Sequence, residues 1–290
     1  MIIVPGLTSE RLASKVVQEG KFRSVIVERK VFKDGESYIR FRGEVKGEEV
    51  VIIQSCEYPQ DKSLIEIFFM AATAKRLGAE RVTLIMPYFA YSREDKEFLF
   101  GEAVGADVVI RLIEAVDVDE FFTFDMHNED TLRHFNIPVR NLTAMPTIGE
   151  YFIGRLKDPL VLAPDDGNPE RAESAAKPLC ADWDYYSKKK DHHDGRITTE
   201  EKIVPVAGRD VLIVDDIIST GKTIANCIAS VKKQGARDVY IACTHPLLAG
   251  DAVEILLAAG AKEIVGTDAF SSPFSLITIA PIIATELLGK

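Results

Sequence analysis

The sequence predicts an α/β fold with two similar domains, each a mainly parallel sheet flanked by helices. Short runs of apolar and β-branched residues alternate with longer segments of helical spacing along the 290 residues. Strands that are apolar throughout and separated by helices are typical of parallel sheets covered on both faces. A similarity between the two halves of the chain is the second observation that supports this fold.

The individual elements follow from local patterns. The predicted strands are the apolar runs at 50–53, 82–86, 120–125, 160–163, 211–214, 239–242 and 263–265. Helical spacing predicts helices over 64–77, 101–116, 223–235 and 250–260. Gly78 ends the first of these helices and Pro87 ends the second strand, because neither residue continues its element well.

Two collinear matches relate the halves of the chain. Residues 45–53 resemble 206–214, and residues 77–82 resemble 234–239, each pair at the same place in a strand–helix–strand unit. Convergence of α/β units on such patterns is the alternative explanation. We predict an N-terminal domain over 1–143 and a C-terminal domain over 144–278, with a C-terminal helix at 279–290 that packs on the first domain.

Composition excludes several classes of protein. The chain is 47% hydrophobic and 28% charged, as in ordinary globular proteins, and its net charge of −10 with no long basic stripe argues against nucleic-acid binding. No apolar run approaches the ~18 residues of a membrane span. We interpret the four widely spaced cysteines as reduced core residues and predict a cytoplasmic protein. They are Cys56, Cys180, Cys227 and Cys243.

The segment from 211 to 223 carries the strongest chemical signal. Four aliphatic residues are followed by Asp215 and Asp216, and then by the run Ser219-Thr220-Gly221-Lys222-Thr223, which opens a helix. Small residues at a helix N-terminus bind anions through backbone N–H groups, and carboxylates suit sugar hydroxyls or a metal ion. The pattern therefore predicts a sugar-phosphate pocket. An ordinary capped turn is the alternative, whereas a Walker A loop is excluded because position 216 is Asp and not Gly.

Together with other segments, this loop resembles a known family. The strand, acid pair and loop are similar to the type I phosphoribosyltransferase signature, and five further segments extend the resemblance over nearly the whole chain to ribose-phosphate diphosphokinases. These segments are 32–36, 87–96, 125–127, 164–167 with Arg171, and 244–246. The resemblance implies two phosphoribosyltransferase-like domains. It also implies transfer of the β,γ-diphosphoryl group of ATP to the anomeric hydroxyl of ribose 5-phosphate, giving phosphoribosyl pyrophosphate (PRPP) and AMP.

The same resemblance assigns residues to ATP. Phe32, Asp34 and Glu36 are expected around the adenine, reaching from a neighbouring subunit, and Arg93 is expected on the phosphates. The implied ATP-binding residues are Phe32, Asp34, Glu36, Arg93, Asp95 and His127. Glu94 stands where many members of the family carry Gln, and a carboxylate beside a triphosphate is unexpected.

Metal and catalytic roles follow from the resemblance as well. His127 and Asp165 are expected to hold the Mg²⁺ of ATP, with Asp125 behind the histidine. Lys188 and Lys190 lie in a polar, basic segment that matches the family's mobile catalytic loop, and with Arg93 they are the predicted catalytic residues. The sugar-phosphate residues are Asp215, Asp216, Ser219, Thr220, Gly221, Lys222 and Thr223.

The expected partners are ATP and ribose 5-phosphate, with no nucleic acid and no membrane. The resemblance also implies a homo-oligomer, a dimer or hexamer, that shares the ATP site between subunits. Two other functions stay open at the level of the sequence. One is a phosphoribosyltransferase that consumes PRPP, and the other is a non-catalytic regulatory relative of the enzyme.

Overall fold

The computed structural model describes residues 1–186, 188–193 and 196–289, with the backbone alone at 188–193 and 196–201. The chain divides into two compact units. The first unit comprises residues 1–143, 269–271 and 278–290, and the second comprises 144–268 and 272–277. Within the described residues, no helix is long and apolar enough to cross a membrane.

The first unit is built on a six-stranded parallel sheet. Its elements are β1 (Ile2–Pro5), α1 (Glu10–Gly20), β2 (Arg23–Ser24), β3 (Val27–Val31), β4 (Ser37–Phe41), β5 (Glu49–Ile53), α2 (Gln60–Arg76), β6 (Arg81–Ile85), α3 (Gly105–Ala115), β7 (Glu120–Phe124) and β8 (Val139–Leu142). The strand order is β2-β1-β5-β6-β7-β8, and every neighbouring pair is parallel. Strands β3 and β4 form a separate antiparallel hairpin.

The second unit repeats this plan. It contains α4 (Met145–Tyr151), β9 (Pro159–Ala163), α5 (Glu170–Leu179), β10 (Asp182–Tyr185), β11 (Lys188–His193), β12 (Arg196–Glu201), β13 (Asp210–Ile218), α6 (Lys222–Lys233), β14 (Val239–Pro246), α7 (Ala252–Ala259), β15 (Ala261–Thr267) and β16 (Ser275–Ile277). The parallel sheet has the order β10-β9-β13-β14-β15-β16. Helix α8 (Ala280–Leu288) then returns to the first unit, where it packs against α1.

The two units share more than a fold class. When the hairpins are set aside, both sheets have the same strand order, and each unit inserts its antiparallel pair between its second and third sheet strands. The turn before the central strand is also repeated. Gly47 N–H donates to Gly78 O in the first unit, and Gly208 N–H donates to Gly235 O in the second, both at 2.8 Å. All four glycines have positive φ, which explains why the sequence similarity is concentrated there.

Both faces of the second sheet are buried, as the continuous apolar strands predict. On β13, Val211 and Ile213 pack with α6 and α7, whereas Leu212 and Val214 pack with α4 and α5. Alternate residues of a strand point to opposite faces, so a strand between two helical layers must be apolar at every position. The prediction of parallel sheets flanked by helices is confirmed.

Several boundaries differ from the sequence prediction. Helix α2 begins at Gln60, four residues earlier than expected, and β13 continues through the acid pair to Ile218. The extension follows from tertiary pairing, because β14 runs to Pro246 and holds Ile218 in register. The polar, basic segment that matches the family's mobile catalytic loop contains the paired strands β11 and β12. The core assignment is wrong for Cys180, which is exposed, although all four cysteines are free.

Candidate active site

The anion loop of the second unit joins β13 to α6. Gly221 is the residue before the helix, and its φ of 73° lies in the left-handed region. A side chain there would also approach Leu256 Cγ and Ala252 O, at 3.1 and 3.3 Å from an added Cβ. The loop is anchored by Ala249 N–H, which donates to Ser219 O at 3.0 Å. Because the first N–H groups of a helix lack partners within it, α6 offers its N-terminus to an anion.

The side chains of the predicted loop residues are available for such a ligand. Thr220, Lys222 and Thr223 are exposed and Ser219 is half-buried, whereas Gly221 is buried. The loop residues therefore lie together at one helix terminus and present hydroxyls, an ammonium group and backbone N–H groups. This set of donors suits a phosphate ester.

Asp215 and Asp216 lie in different environments. Asp216 is 2% exposed, and Arg171 Nη1 donates to its Oδ1 at 3.0 Å. The same Nη1 lies 3.6 Å from Asp215 Oδ1, and the Asp215 side chain is 20% exposed. Arg171 comes from the first turn of α5, so it reaches the pair across the carboxyl edge of the sheet. Asp216 is thus part of a buried ion pair, and Asp215 is the carboxylate open to a ligand.

Electrostatics distinguish Asp215 further. Burial raises the pKa of Asp215 well above its usual range, the neighbouring Asp216 charge raises it further, and Arg171 partly opposes the shift. Asp165 contributes to the same effect with its own negative charge. A cation, or hydroxyl groups that donate hydrogen bonds, would favour the ionised form of Asp215.

Asp165 follows β9 and is exposed. Its Oδ1 accepts a hydrogen bond from Gly167 N–H at 3.0 Å. Because β9 pairs with β13 in parallel, the residues after β9 lie at the same sheet edge as Asp215. The second unit therefore places Asp165, Asp215, Asp216 and Arg171 at one edge of its sheet, three acidic groups with one basic group.

The equivalent position in the first unit is closed. Gln54 and Ser55 stand where the second unit has its acid pair, and both are used in structural hydrogen bonds. Gln54 Oε1 accepts from Leu7 N–H at 2.8 Å and Gln54 Nε2 donates to Ser63 O at 2.8 Å, while the Ser55 hydroxyl donates to Ala269 O. Of the two units, only the second has carboxylates at this position.

The first unit assembles a different polar site at the carboxyl ends of β6 and β7. Arg93 and Asp95 lie in the segment after β6, and His127 lies in the segment after β7. Asn128 Nδ2 donates to Asp95 Oδ2 at 2.6 Å and so joins the two segments. Asp125, which has a φ of 42°, accepts a hydrogen bond from Thr143 Oγ1 at 2.6 Å. Sequence neighbours of Arg93 and His127 thus meet across adjacent strands.

Glu94 has a structural position in this segment. Its backbone carbonyl accepts from Ala106 N–H at 3.2 Å, and a Cβ added to Gly105 would lie 2.7 Å from its Oε2. Glu94 therefore lies against the first turn of α3, where a carboxylate is favoured by the helix dipole. The structure thus accommodates a carboxylate at a position where the resemblance leads us to expect an amide.

A pocket of about 190 Å³ lies beside Arg93. Besides the segment 90–94, it is lined by Gln60 and Tyr88, which the sequence interpretation did not select. Ser92, which also lines it, is 3% exposed. Tyr91 has a φ of 64° and donates its hydroxyl hydrogen bond to Asp61 in the first turn of α2. The motif 87–96 contains Tyr88, whereas no signal in the sequence marks Gln60.

The three predicted adenine residues lie at the tip of the β3–β4 hairpin. Phe32 is 43% exposed, and its N–H donates to Glu36 O at 2.8 Å. Asp34 Oδ1 accepts from Glu36 N–H at 3.2 Å. Lys30 Nζ lies 4.8 Å from the Phe32 ring centroid and thus covers one ring face. The hairpin brings Phe32, Asp34 and Glu36 together on an exposed turn.

The predicted catalytic lysines lie in β11. Lys188 is in register with Glu201, and Lys190 with Thr199. Their side chains lie outside the described part of the structure. The backbone therefore gives their position in a hairpin strand, and their catalytic roles stay predictions.

Glu57, near the start of α2, supports a prediction about stability. Its Oε1 accepts from Ser271 N–H at 2.7 Å, and burial raises the pKa of Glu57 to about 7 although this hydrogen bond opposes the shift. A raised native pKa stabilises the protein below the unfolded pKa, and this stabilisation is lost as pH rises to about 7. As pH rises from 5 to 8, the free energy of unfolding of Glu57→Gln should therefore increase by about 1–3 kcal/mol relative to that of the parent protein.

Thermal or urea unfolding of the Glu57→Gln variant across this pH range measures the difference. Glu19→Gln, at an exposed site on α1, is the matched control for loss of a carboxylate and should change the free energy of unfolding by no more than about 0.5 kcal/mol. A constant difference between parent and Glu57→Gln would contradict the prediction.

The fold and the loop first define a class of protein. Residues 147–275 match the model of the phosphoribosyl transferase domain, and residues 1–116 match that of the N-terminal domain of ribose phosphate pyrophosphokinase. A phosphoribosyltransferase-type unit with an acid pair and an anion loop is thus joined to a second unit of the same topology. The chain belongs to the ribose-phosphate pyrophosphokinase family, which confirms the resemblance seen in the sequence.

Individual relatives are similar over nearly their full lengths. The chain is 38% identical to a ribose-phosphate pyrophosphokinase from Methanobrevibacter smithii, covering 99% of each chain. It is 39% identical to the enzyme of that name from Methanothermobacter thermautotrophicus, covering 98% of each. Among solved structures, it is similar to the phosphoribosylpyrophosphate synthetase from Mycobacterium smegmatis, with 28% identity, a TM-score of 0.86, and coverage of 99% of this chain and 97% of that one.

Proposed function

We propose that this protein is a ribose-phosphate diphosphokinase, which transfers the β,γ-diphosphoryl group of ATP to the anomeric hydroxyl of ribose 5-phosphate and releases AMP. The observation that carries the proposal is the second unit's anion loop, next to an open carboxylate, in a chain of this family. Such a pair of groups recognises the two ends of a sugar phosphate. The 5-phosphate binds at the N-terminus of α6, and Asp215 accepts hydrogen bonds from ribose hydroxyls.

The first unit supplies the ATP site in this proposal. Arg93 contacts the phosphates, since a guanidinium group binds phosphate oxygens in a bidentate manner. Asp95 is held beside the His127 segment by Asn128, which supports a common role for the two segments in ATP binding. The exposed Phe32 at the hairpin tip stacks on adenine, with Asp34 and Glu36 accepting hydrogen bonds from its amino group.

A divalent cation, Mg²⁺, fits the donors of the second unit. Three carboxylates with a single Arg171 leave an excess of negative charge. Burial raises the pKa of Asp215, and the charges of Asp216 and Asp165 raise it further. Asp165 is exposed and is the first candidate ligand, while His127 of the first unit is the second. Among the described residues, no three His, Cys, Asp or Glu side chains converge on one point. Mg²⁺ needs few protein ligands, because it keeps waters and phosphate oxygens in its coordination shell. When bound, the cation neutralises charge on the transferred phosphates.

The protein's own groups position the reactants and offset developing charge. The anion loop and Asp215 hold the sugar so that its anomeric oxygen faces the β-phosphorus, in line with the departing AMP. Arg93, Lys188 and Lys190 bind the diphosphoryl group as charge builds on it. No covalent intermediate is required, because the sugar hydroxyl is itself the nucleophile.

We also propose a homo-oligomer in which the β3–β4 hairpin reaches the ATP site of a neighbouring subunit. The tip residues Phe32, Asp34 and Glu36 are exposed on the described structure, and an exposed aromatic ring flanked by two acids suits a base presented by another molecule.

The decisive experiment is a product assay on the full chain. With ATP, ribose 5-phosphate and Mg²⁺, we expect AMP and PRPP in equal amounts, and both should disappear in excess chelator. The β-phosphorus is the site of attack, so AMP rather than ADP must accompany the sugar product. Release of ADP, or release of pyrophosphate from added PRPP and a base, would contradict the proposal.

A further inference from the structure

We propose that Lys202 is a positioning residue that holds the base of the β11–β12 hairpin, and that this clamp is needed for turnover. The hairpin carries Lys188 and Lys190, so the inference rests on the catalytic role proposed for them above. Lys202 itself follows β12 and is remote in sequence from any motif of the sugar-phosphate site.

The clamp joins the two ends of the hairpin. Lys202 Nζ lies 2.5 Å from Asp184 Oδ1 and 3.6 Å from the ring centroid of Tyr185. Asp184 and Tyr185 are the last residues of β10, shortly before the hairpin, and Lys202 is the first residue after it. One ammonium group therefore bridges the entry and the exit of the inserted segment through an ion pair and a cation–π contact.

Each end is also tied to the body of the second unit. Tyr186 is buried, and its N–H donates to Ala163 O at 2.8 Å. On the other side, Gln234 Nε2 donates to Lys202 O at 3.3 Å, and Gln234 Oε1 accepts from Val204 N–H at 2.8 Å. The two ends are thus fixed to β9 and to the C-terminal end of α6, and Lys202 joins them to each other.

Loss of the clamp is expected to change the orientation of the β11–β12 hairpin rather than the affinity for the substrates. A β-hairpin acts as a lever, so a small change of angle at its base displaces residues further along it. Transition-state contacts tolerate such displacement poorly, because a shift of about 1 Å can cost ~100-fold in rate. The residues proposed to bind ribose 5-phosphate lie at the end of β13 and the start of α6, and those proposed to bind ATP lie in the first unit. The affinities for both substrates should therefore be nearly insensitive to loss of the clamp.

The second unit contains a matched control. Lys262 Nζ lies 2.7 Å from Asp238 Oδ2 and 5.3 Å from the ring centroid of Tyr240, the same combination of ion pair and aromatic ring. Lys262 joins β15 to the start of β14 and does not touch the hairpin ends. Loss of either lysine removes one partly exposed ion pair, but only Lys202 connects the two ends of the hairpin.

The test compares Lys202→Met, Lys202→Arg and Lys262→Met in the full chain. For Lys202→Met we expect kcat to fall about 10-fold with KM for ATP and ribose 5-phosphate within about 3-fold, and faster amide hydrogen exchange at 188–201. Lys202→Arg should keep kcat within about 3-fold, since a guanidinium group can both pair with Asp184 and cover the ring. Lys262→Met should leave kcat and amide exchange at 188–201 unchanged. It should lower the melting temperature by about as much as Lys202→Met does.

The two readouts separate failure of the inference from failure of the proposed function. Unchanged exchange at 188–201 in Lys202→Met would overturn the clamp and leave the role of Lys188 and Lys190 intact. Faster exchange in Lys202→Met with the kcat of the parent protein would also overturn the inference. In that case the catalytic role proposed for Lys188 and Lys190, on which the inference rests, would be the part that fails. Equal losses of kcat in Lys202→Met and Lys262→Met would identify a general effect of stability and reject a positioning role.

Discussion

Lys188→Ala should reduce kcat by about 100-fold or more while changing the affinity for ATP by only a few-fold. In the proposed reaction the lysine meets the diphosphoryl group as it leaves AMP, when negative charge is greatest. A cation placed there stabilises the transition state more than the bound substrates. Steady-state kinetics with both substrates varied, together with ATP binding measured separately by calorimetry, test this expectation.

Lys189→Ala is the matched control for this variant. Lys189 lies in β11 between the two predicted catalytic residues Lys188 and Lys190, and it is not itself assigned a catalytic role. We expect Lys190→Ala to reduce kcat as well and Lys189→Ala to have little effect. A loss of ATP affinity with unchanged kcat in Lys188→Ala, or equal effects of all three substitutions, would refute the catalytic assignment.

Asp215→Asn should lower kcat/KM for ribose 5-phosphate by about 10- to 100-fold, because a hydrogen bond to a charged group contributes about 1.5–3 kcal/mol. ATP affinity should stay nearly unchanged. Since Asp215 is the open member of the acid pair, its loss should also weaken discrimination between ribose 5-phosphate and its 2-deoxy analogue. Kinetics with both sugars provide the measurement.

The raised pKa of Asp215 gives this variant two further signatures. Activity should rise with pH as Asp215 ionises, and Asp215→Asn should lose that rise. The stability of the parent protein should change in the opposite direction and fall as Asp215 ionises, because a raised native pKa means that ionisation destabilises the folded state. Asp215→Asn should therefore melt at the same or a higher temperature than the parent protein at pH 8. A lower melting temperature with parallel losses for ATP and sugar would indicate general damage and refute the assignment.

Thr220→Val is the control variant at the proposed binding site for the 5-phosphate of ribose 5-phosphate. The Thr220 hydroxyl lies in the anion loop and is expected to donate to the 5-phosphate, so its loss should weaken binding of ribose 5-phosphate. Discrimination against the 2-deoxy sugar should not change. Asp216→Ala, in contrast, leaves Arg171 without its closest buried carboxylate, and its effect on activity would be mixed with a loss of stability.

The sequence was sufficient wherever the signal lies in consecutive residues. The central strands are recognised because burial on both faces requires an apolar residue at every position, and this leaves an unbroken run in the sequence. The anion loop is recognised for a similar reason, since strand, acid pair, loop and helix follow one another between 211 and 223. Family membership followed from such local motifs.

Only the tertiary structure decided how distant residues divide the chemistry. In the sequence, Asp215 and Asp216 are two equivalent carboxylates. In the structure, Arg171, which is 45 residues from Asp216 in sequence, pairs more closely with Asp216 and leaves the Asp215 carboxylate more accessible. The Asp95–Asn128 contact spans 33 residues and joins the Arg93 and His127 segments. Such contacts depend on the strand order and register of a sheet, in which each side chain finds a partner supplied by a neighbouring strand. No local pattern records that partner, so the sequence by itself determined the elements, and their packing determined the contacts of the charged residues between them.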